Sequence, residues 1–395
     1  MMTKKKYIIT TAGKFHHFDV ARVIEKKNQL TKIISGYPWF KLKKEKIAKK
    51  FVEAQGIYRI LREPLLRNTA FKKIDNILNI LSAKNLDNLT SNIMDKNDDV
   101  DVFIGQSQCG LKSGLKIKKK NKIYICERTS THIEYQNNIL EEEYSNLGLK
   151  FNKIDNWYID REKEEYAESN IILVPSRFVK STFENKYQDK IKVLEFGVNT
   201  NNFYRDHKIK KSIKYFDILY LANKSIRKGF HYVLEAFKKF SHPCKRLHII
   251  GSDTSDKSFF KNKINKENMI IYGHVDHSKL NNIINFCHVY VLPSIEDGFA
   301  TSILQVASAG CPVIVTENTG SSDFVKNSNC GYVIALRSVD EILEKLIFLQ
   351  ENRDKLDELS LNGQKFSKDN NWETYFNKLD EIVNKFKGKK SINAD

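Results

Sequence analysis

The sequence predicts an α/β fold built from two doubly wound parallel sheets. Short apolar segments alternate with stretches of helical period, which is typical of βαβ units. This alternation starts near the N-terminus and starts again after Phe203, and the polar segment 199–212 between the two series has no periodicity. At 395 residues the chain is also too long for one ordinary core, since a domain holds roughly 150 residues. We therefore expect two α/β domains that face a central cleft.

The first domain is predicted from short apolar runs, each long enough for one buried strand. The runs are residues 7–10, 30–35, 100–104 and 123–126, and the segment 19–27 has the spacing of a helix. Strands of a parallel sheet are buried on both faces, so they appear in a sequence as continuous apolar runs. We assign residues 1–200 to this Rossmann-like domain.

The second domain repeats the pattern. Its predicted strands are residues 216–221, 247–250, 269–272, 289–292 and 313–315, with a helix over 232–240. We assign residues 201–370 to this domain. The last segment, 371–395, has apolar residues spaced by three or four positions, and we expect it to be a helix that packs back towards the first domain.

Composition excludes several classes of protein. The 24 Phe and 17 Tyr can build cores, which a disordered chain lacks. The six cysteines are separated by 17 residues or more and form no CxxC pair, so neither a disulfide framework nor a zinc site is predicted. We find no secretion signal and no apolar run of membrane-spanning length, and we expect a cytoplasmic protein.

Positive charge is concentrated at the start of the chain. The net charge is +18, and residues 1–60 contain 15 Lys/Arg and 4 Asp/Glu, a net +11. Such a field selects anionic partners: nucleic acid, an anionic membrane or a phosphorylated small molecule. A nucleic-acid-binding protein is the least favoured of these, because no recognition helix, zinc motif or aromatic platform is found.

The most informative segment is 293–315. It begins after an apolar strand, turns through Gly298, continues as a short helix from about Thr301, and ends at Gly310 before a second strand. A small-residue turn that leads into a helix presents unpaired backbone N–H groups, which bind phosphate or sugar oxygens. The segment therefore predicts an anion site.

This segment resembles the nucleotide-sugar-binding element of the retaining GT-B glycosyltransferases called family 4, or glycosyl transferases group 1. Further segments resemble the family in the same order, namely 195–203, 220–237 and 272–275. The resemblance covers most of residues 170–385 and is looser in the first 150 residues, where 11–17 and 127–132 match. It implies a GT-B fold, with the donor bound by the second domain and the acceptor by the first, and no metal or other cofactor.

In the family two glutamates separated by seven residues contact the donor, and Asp297 and Gln305 occupy these places here. The first contacts the transferred sugar near its reacting carbon, and Glu296 beside Asp297 is an alternative for this role. The second holds ribose hydroxyls, and Gln305 can still accept one hydrogen bond and donate another. We predict that donor binding is retained and leave the effect on catalysis open.

In the family an Arg and a Lys hold the diphosphate. Lys228 occupies the lysine place, whereas Asn223 stands where the arginine is expected, with Lys224 and Arg227 close by. A lysine here stabilises the leaving diphosphate more in the transition state than in the ground state. The resemblance implies retention of configuration without a dedicated nucleophile, with the leaving phosphate helping to deprotonate the acceptor.

His132 is predicted to contact an outer hydroxyl of the sugar, with Arg128 or Glu127 as alternatives for that place. The predicted catalytic residues are thus Asp297, Lys228 and His132. The predicted donor-binding residues are Gly13, Asn223, Lys224, Gly273, His274, Val275, Glu296, Gly298, Phe299, Ala300, Thr301 and Gln305. The Asp99-Val-Asp101 sequence resembles a metal-binding motif, but it leads into an apolar run, and we interpret it as the start of a strand.

The segment 39–51 combines five large apolar residues with six lysines. It is either a solvated basic helix or an interfacial segment that binds an anionic membrane, and we favour the membrane.

The predicted function is a retaining glycosyltransferase of hexosyltransferase type. It transfers a sugar from a UDP- or GDP-sugar to a glycan or lipid-linked acceptor in surface polysaccharide or lipopolysaccharide biosynthesis, at the inner face of the plasma membrane. The alternatives are a nucleotide-sugar epimerase or phosphorylase on the same fold, and a catalytically impaired nucleotide-sugar-binding protein.

Overall fold

The computed structural model describes residues 4–63, 71–265 and 267–392, and within them the strands form two sheets in which all pairings are parallel. The first sheet has the order β3-β2-β1-β4-β5-β6-β7 and the second the order β10-β9-β8-β11-β12-β13. The strands of the first are β1 Tyr7–Thr11, β2 Leu30–Ser35, β3 Val52–Ala54, β4 Val102–Gln106, β5 Ile123–Glu127, β6 Ile171–Val174 and β7 Ile191–Val193. Those of the second are β8 Phe216–Leu221, β9 Lys245–Ile250, β10 Met269–Gly273, β11 Val289–Leu292, β12 Val313–Thr316 and β13 Gly331–Ile334. The predicted pair of doubly wound sheets is confirmed.

Helices connect the strands. Those of the first half are α1 His17–Lys26, α2 Trp39–Leu42, α3 Ile57–Arg62, α4 Lys72–Asp95, α5 Leu111–Lys119, α6 Ile133–Asn146, α7 Asn156–Glu168 and α8 Arg177–Ser181. Those of the second are α9 Phe230–Lys239, α10 Lys257–Phe260, α11 His277–Phe286, α12 Thr301–Ser308, α13 Ser322–Ser328, α14 Val339–Glu351, α15 Arg353–Asp369 and α16 Trp372–Ile392. Short 3₁₀ turns cover Lys43–Glu45, Lys49–Phe51 and Asn185–Tyr187.

The central strands are largely apolar because they are buried on both faces of their sheet. In the first sheet, Ile9 and Ile104 belong to one buried cluster, whereas their neighbours Ile8 and Phe103 belong to another. Successive side chains of a strand point to opposite faces, so the two clusters are the two sides of the sheet. This double burial explains why continuous apolar runs, rather than alternating ones, predicted the strands.

Each sheet has one point at which its strand order reverses. In the first sheet this point lies between β1 and β4, and in the second between β8 and β11. Ligands of open α/β sheets bind outside the carboxyl ends of the strands at this switch point. A ligand site is therefore expected at the loops that follow β8 and β11.

The chain crosses between the two sheets twice, and the crossings touch. The Val198 backbone N–H donates to the Asn370 carbonyl at 2.9 Å. After the second crossing α16 packs against α1, and the Tyr7 hydroxyl of β1 donates to the Asp380 carboxylate at 2.7 Å. The last helix thus lies on the first domain, while the domain limits at 200 and 370 stay predictions.

The segment 39–51 differs from the predicted interfacial segment. Its α2 helix ends at Leu42, and both Leu42 and Ile47 are buried in the core. Trp39 and Phe51 are partly buried against the same core, and only Phe40 of the five is exposed. Most of its apolar side chains thus serve the fold, and membrane binding by the segment stays a prediction. No helix of the described chain is both long and apolar enough to span a membrane.

Candidate active site between the two domains

Two loops meet at the switch point of the second sheet. The loop 222–229 follows β8 and the loop 293–300 follows β11. They are joined by a hydrogen bond from the Ile295 N–H to the Arg227 carbonyl at 2.9 Å. The Lys228 ammonium forms an ion pair with the Asp297 carboxylate. The structure thus brings together two of the three predicted catalytic residues.

Gly229 makes the close approach of these loops possible. It precedes α9 with φ of 65°, a left-handed conformation that favours glycine. A Cβ atom at this position would lie 1.8 Å from the Pro293 carbonyl oxygen. Only glycine fits here, and it holds Lys228 directly above the loop that contains Asp297.

The loop 293–300 presents free backbone donors. The N–H groups of residues 298–302 find no acceptor among the described residues, as expected where a helix begins. Thr301 opens α12, and Ala300 precedes it. Unpaired N–H groups and the positive end of the helix favour an anion. Together with the Lys228 ammonium, they form a site of the kind that binds phosphate oxygens.

Glu296 links this loop to the first domain. Its fully buried carboxylate accepts hydrogen bonds from the Thr131 N–H at 3.0 Å, the Thr131 hydroxyl at 2.9 Å and the Gln136 amide at 2.9 Å. From its own domain, Arg227 donates at 2.7 Å. Burial by itself raises the pKa of Glu296, but the Arg227 guanidinium and the Thr131 hydrogen bonds outweigh it and hold the pKa at about 2. Glu296 is therefore charged and acts as a bridge between the domains.

The loop is covered by the opposite domain. A Cβ atom on Gly298 would lie 2.0 Å from the Thr129 carbonyl oxygen, and the Ser176 hydroxyl donates to the Gly298 carbonyl at 3.0 Å. Phe299 is buried against Phe196, with ring centroids 5.2 Å apart. The loop thus lies in a closed cleft between the domains, where the first domain covers it.

The edge formed by β8, β9 and β10 is more open. Asn223 and His274 are exposed, and Gly273, with φ of 69°, has no atom within 4 Å of a Cβ position. Val275 packs partly against the core. Gln305 is half-buried, and its side chain has no hydrogen-bond partner among the described residues. Asn223, Gly273 and His274 are thus accessible at the carboxyl ends of β8, β9 and β10.

Two side chains that were predicted to bind the donor make other contacts in the structure. The Lys224 ammonium is buried and pairs with Asp253 at 2.8 Å. The His132 ring packs against Tyr166 and Phe183 inside the first domain, away from the loop that its neighbour Thr131 contacts. Burial lowers the pKa of His132 to about 4, so the ring is neutral at pH 7. His132 therefore stabilises the first domain in this structure.

The two alternatives to His132 are also paired. Arg128 donates to Glu162 at 2.8 Å, and Glu127 contacts the imidazoles of His16 and His17 at 2.9 and 2.6 Å. Burial raises the pKa of Glu127, but the two imidazoles outweigh it and hold the pKa well below its usual range. Both side chains hold the first domain together.

The first domain contributes its own switch-point loop, which follows β1. Gly13 is buried in this loop, and its carbonyl accepts from the Ser35 hydroxyl at 2.9 Å. Asp99 and Asp101 lie at the opposite edge, before β4. Their interpretation as the start of a strand is confirmed.

Sequence reasoning missed the residues that close the cleft. These are Ser130, Thr131, Gln136, Ser176 and Arg227, which bind one another or the loop 293–300. The sequence signal for these residues was the polar run 129–131, which follows the carboxyl end of β5. Ligands bind at that end of a parallel sheet, so polar side chains there are candidates for a site. The partner of this run could not be identified because it lies some 165 residues away in the chain.

We expect Glu296→Gln to lower the free energy of unfolding at pH 7 by about 3 kcal/mol, because it removes the buried negative charge that binds the Arg227 guanidinium and the two Thr131 donors. The pKa of the Glu296 carboxylate is about 2 in the folded protein, against 4.5 for a glutamate free of these contacts. Its contribution is present above pH 4.5 and is lost as the pH falls from 4.5 to 2. Denaturant unfolding at several pH values measures the difference between the two proteins.

The matched control is Glu141→Gln, which removes a half-exposed carboxylate from its ion pair with the exposed Lys153 and should cost less than about 1 kcal/mol. A Glu296→Gln protein as stable as wild type at pH 7 would contradict the bridging role.

The profile of the family described as glycosyl transferases group 1 matches residues 204–366. The chain is 24% identical over 213 residues to an uncharacterized glycosyltransferase of Methanocaldococcus jannaschii, covering 53% of this chain and 58% of that protein. It is 27% identical over 222 residues to the capsular polysaccharide biosynthesis glycosyltransferase CapM of Staphylococcus aureus, covering 50% and 56%. The chain thus spans about half the length of these curated relatives.

The fold similarity extends over nearly the whole chain. The structure of Anabaena HepE in complex with UDP and glucose has a TM-score of 0.68 at 12% identity, covering 96% of this chain and 100% of that one. The predicted resemblance to the glycosyl transferases group 1 is confirmed over residues 204–366. Residues 204–366 thus match the domain of the glycosyl transferases group 1, and the GT-B fold extends across both sheets of the chain.

Proposed function

We propose that the protein is a retaining glycosyltransferase that moves a hexosyl group from a UDP- or GDP-sugar to a hydroxyl of a glycan or lipid-linked acceptor. We place this reaction in surface polysaccharide or lipopolysaccharide synthesis, at the cytoplasmic face of the plasma membrane. The observation that carries the proposal is the convergence of Lys228, Asp297 and the free N–H groups of residues 298–302 on one loop between two domains.

The leaving group explains this arrangement. As the bond between the sugar's anomeric carbon and the diphosphate breaks, negative charge grows on the phosphate oxygens. A fixed ammonium and fixed N–H dipoles stabilise this charge more than that of the intact donor, which accelerates the reaction. In the closed cleft these groups act in a poorly hydrated environment, where their effect is larger than in water.

The acceptor attacks on the face that the diphosphate leaves. Its hydroxyl oxygen forms the new bond to the anomeric carbon, and its proton passes to an oxygen of the departing phosphate. This route retains configuration and requires no nucleophile from the protein. We assign Asp297 to the sugar near its reacting carbon, Gln305 to the ribose hydroxyls, and the exposed edge at Asn223, Gly273 and His274 to the base.

Known relatives support the substrate class. The name of the Staphylococcus aureus relative refers to capsular polysaccharide, and the Anabaena structure contains UDP and glucose. These facts favour a nucleotide donor and a polysaccharide pathway for this chain.

A nucleotide-sugar-binding protein without transferase activity is the second candidate. It is favoured by the ion pair between Lys228 and Asp297, since each neutralises the other in the closed cleft. Donor turnover separates the two, because a binding protein would bind the nucleotide and release no sugar.

We expect UDP or GDP to raise the melting temperature in a panel that also contains ADP and CDP. A ligand at 100 times its Kd stabilises the folded state by about 2.7 kcal/mol, which corresponds to several degrees for domains of this size. A matched Gln305→Ala protein should show a smaller shift with the same nucleotide. If no nucleoside diphosphate raises the melting temperature, the proposed donor site is wrong.

A further inference from the structure

Helices α3 and α4 of the first domain expose large apolar side chains. On α3 these are Ile57, Ile60 and Leu61, each about half exposed. Their spacing of three and four residues places them on one face of the helix. An exposed apolar face of this kind marks an interaction surface.

The same pattern continues on α4. Phe71, which precedes the helix, and Ile74, Ile77 and Leu81 are between 41 and 56% exposed. They are again spaced by three or four residues, whereas the buried residues of α4 begin only at Ala83. One face of the first half of α4 is therefore exposed, while Asn79 on another face donates to the Tyr158 hydroxyl at 2.6 Å. We call the seven side chains on the two helices the α3–α4 apolar face.

The two helices are held side by side. Arg62 of α3 donates to the Asp75 carboxylate of α4 at 2.7 and 3.1 Å, and it also donates to Asn79. The two sets of exposed side chains therefore lie on adjoining helices of one rigid unit.

Basic residues surround this face. Lys72 and Lys73 are exposed at the start of α4. The segment that contains Phe40 borders α3, because a Cβ atom on Gly56 would contact Pro38 and because Lys41 lies 3.8 Å from Glu63. This segment adds Phe40, which is 57% exposed, and further exposed lysines. Apolar side chains ringed by lysines are complementary to an anionic bilayer, which offers hydrocarbon below a negative surface.

The inner sides of the same helices line a polar cavity of about 60 Å³. Arg59 and Arg62 of α3 and Asn79 and Ser82 of α4 face it, and Ala12, next to Gly13, forms its far wall. The cavity thus lies at the carboxyl ends of the strands of the first domain, where the acceptor is expected. A bilayer bound to the outer sides would lie beside this cavity.

We propose that the α3–α4 apolar face and its lysines dock the protein on an anionic phospholipid bilayer, with the apolar side chains in the interfacial layer. In this proposal the membrane contact is the α3–α4 apolar face, since Leu42 and Ile47 of the segment 39–51 are buried. Its use for presenting a lipid-linked acceptor rests on the proposed function, whereas docking itself does not.

Flotation with vesicles tests the proposal. Wild-type protein should float with vesicles of phosphatidylglycerol mixed with phosphatidylcholine, and not with phosphatidylcholine alone. The variant Ile60→Glu/Ile77→Glu should bind the anionic vesicles at least about tenfold more weakly, because two apolar groups are lost and two negative charges are gained. Lys72→Ala/Lys73→Ala should also bind more weakly, with a smaller dependence on salt.

Leu361→Glu is the matched control, since Leu361 is 63% exposed on α15 of the other domain and its change should leave flotation unaltered. Circular dichroism and thermal unfolding confirm that each variant is folded, and single Ile77→Glu serves if the double variant is not. Wild type that does not float, equal flotation on neutral vesicles, or unaltered flotation of the folded variants would each overturn the proposal. Because the assay contains neither donor nor acceptor, its failure leaves the transferase proposal standing.

Discussion

Replacing Lys228 with alanine should reduce kcat for donor turnover by about 10²- to 10³-fold, the range observed when a preorganised group that stabilises developing charge is removed. Lys228 is the cation beside the free N–H groups of residues 298–302, so its loss leaves the diphosphate charge less stabilised in the transition state. The measurement is release of the nucleoside diphosphate from the donor that the nucleotide panel identifies.

The matched control for Lys228 is Lys239→Ala. Lys239 is in the last turn of α9, where it pairs with exposed acidic residues, and its removal should leave kcat unaltered. Lys228→Arg should recover part of the activity because it restores the charge with a different shape. Since Lys228→Ala also leaves Asp297 without its counter-ion, its melting temperature must be measured alongside. Full activity in folded Lys228→Ala protein would contradict the assigned role.

Replacing Gly298 with alanine should lower kcat/KM by about 10²-fold or more by preventing closure of the cleft. The new Cβ would lie 2.0 Å from the Thr129 carbonyl oxygen of the opposite domain, so the domains must separate. Separation also removes the Thr131 hydrogen bonds of Glu296, and small misplacements of reacting groups cost rates of this order. Small-angle scattering should show a larger radius of gyration for the variant than for wild type.

The three atoms nearest to the new Cβ all belong to Thr129 and Ser130 across the cleft, and the φ of Gly298 is not in the left-handed region, so the clash acts between the domains. Gly148→Ala is the matched control, because its Cβ meets no atom within 4 Å and it loses only the preference of glycine for φ of 66°. It should keep wild-type dimensions and activity. A Gly298→Ala protein with unchanged radius and rate would show that closure plays no part in the reaction.

Much of the fold was predictable because its signals are local. The run at 289–292 was recognised as a strand, and the helix from Thr301 begins where its turn predicts. The strands β3 and β7 were missed because three residues are too few to show a period. β6 was missed although Ile171–Val174 is a clear apolar run.

The candidate site was predictable in part for the same reason. Lys228 and Asp297 each follow a strand of the second sheet, and adjacent parallel strands bring their carboxyl ends together. His132 could not be placed, because a histidine next to the cleft can point inward or outward and only the positions of Tyr166 and Phe183 decide between them.

The sequence by itself determined two parallel sheets, the loops that end their strands and the loop that holds Asp297, because apolar period and turn chemistry act between near neighbours in the chain. Only the tertiary structure decided that Glu296 joins the domains, that Leu42 and Ile47 are buried and that the side chains of the α3–α4 apolar face are exposed. Burial of a side chain depends on which distant segment packs against it, and that choice is made by the free energy of the whole fold rather than by local pattern.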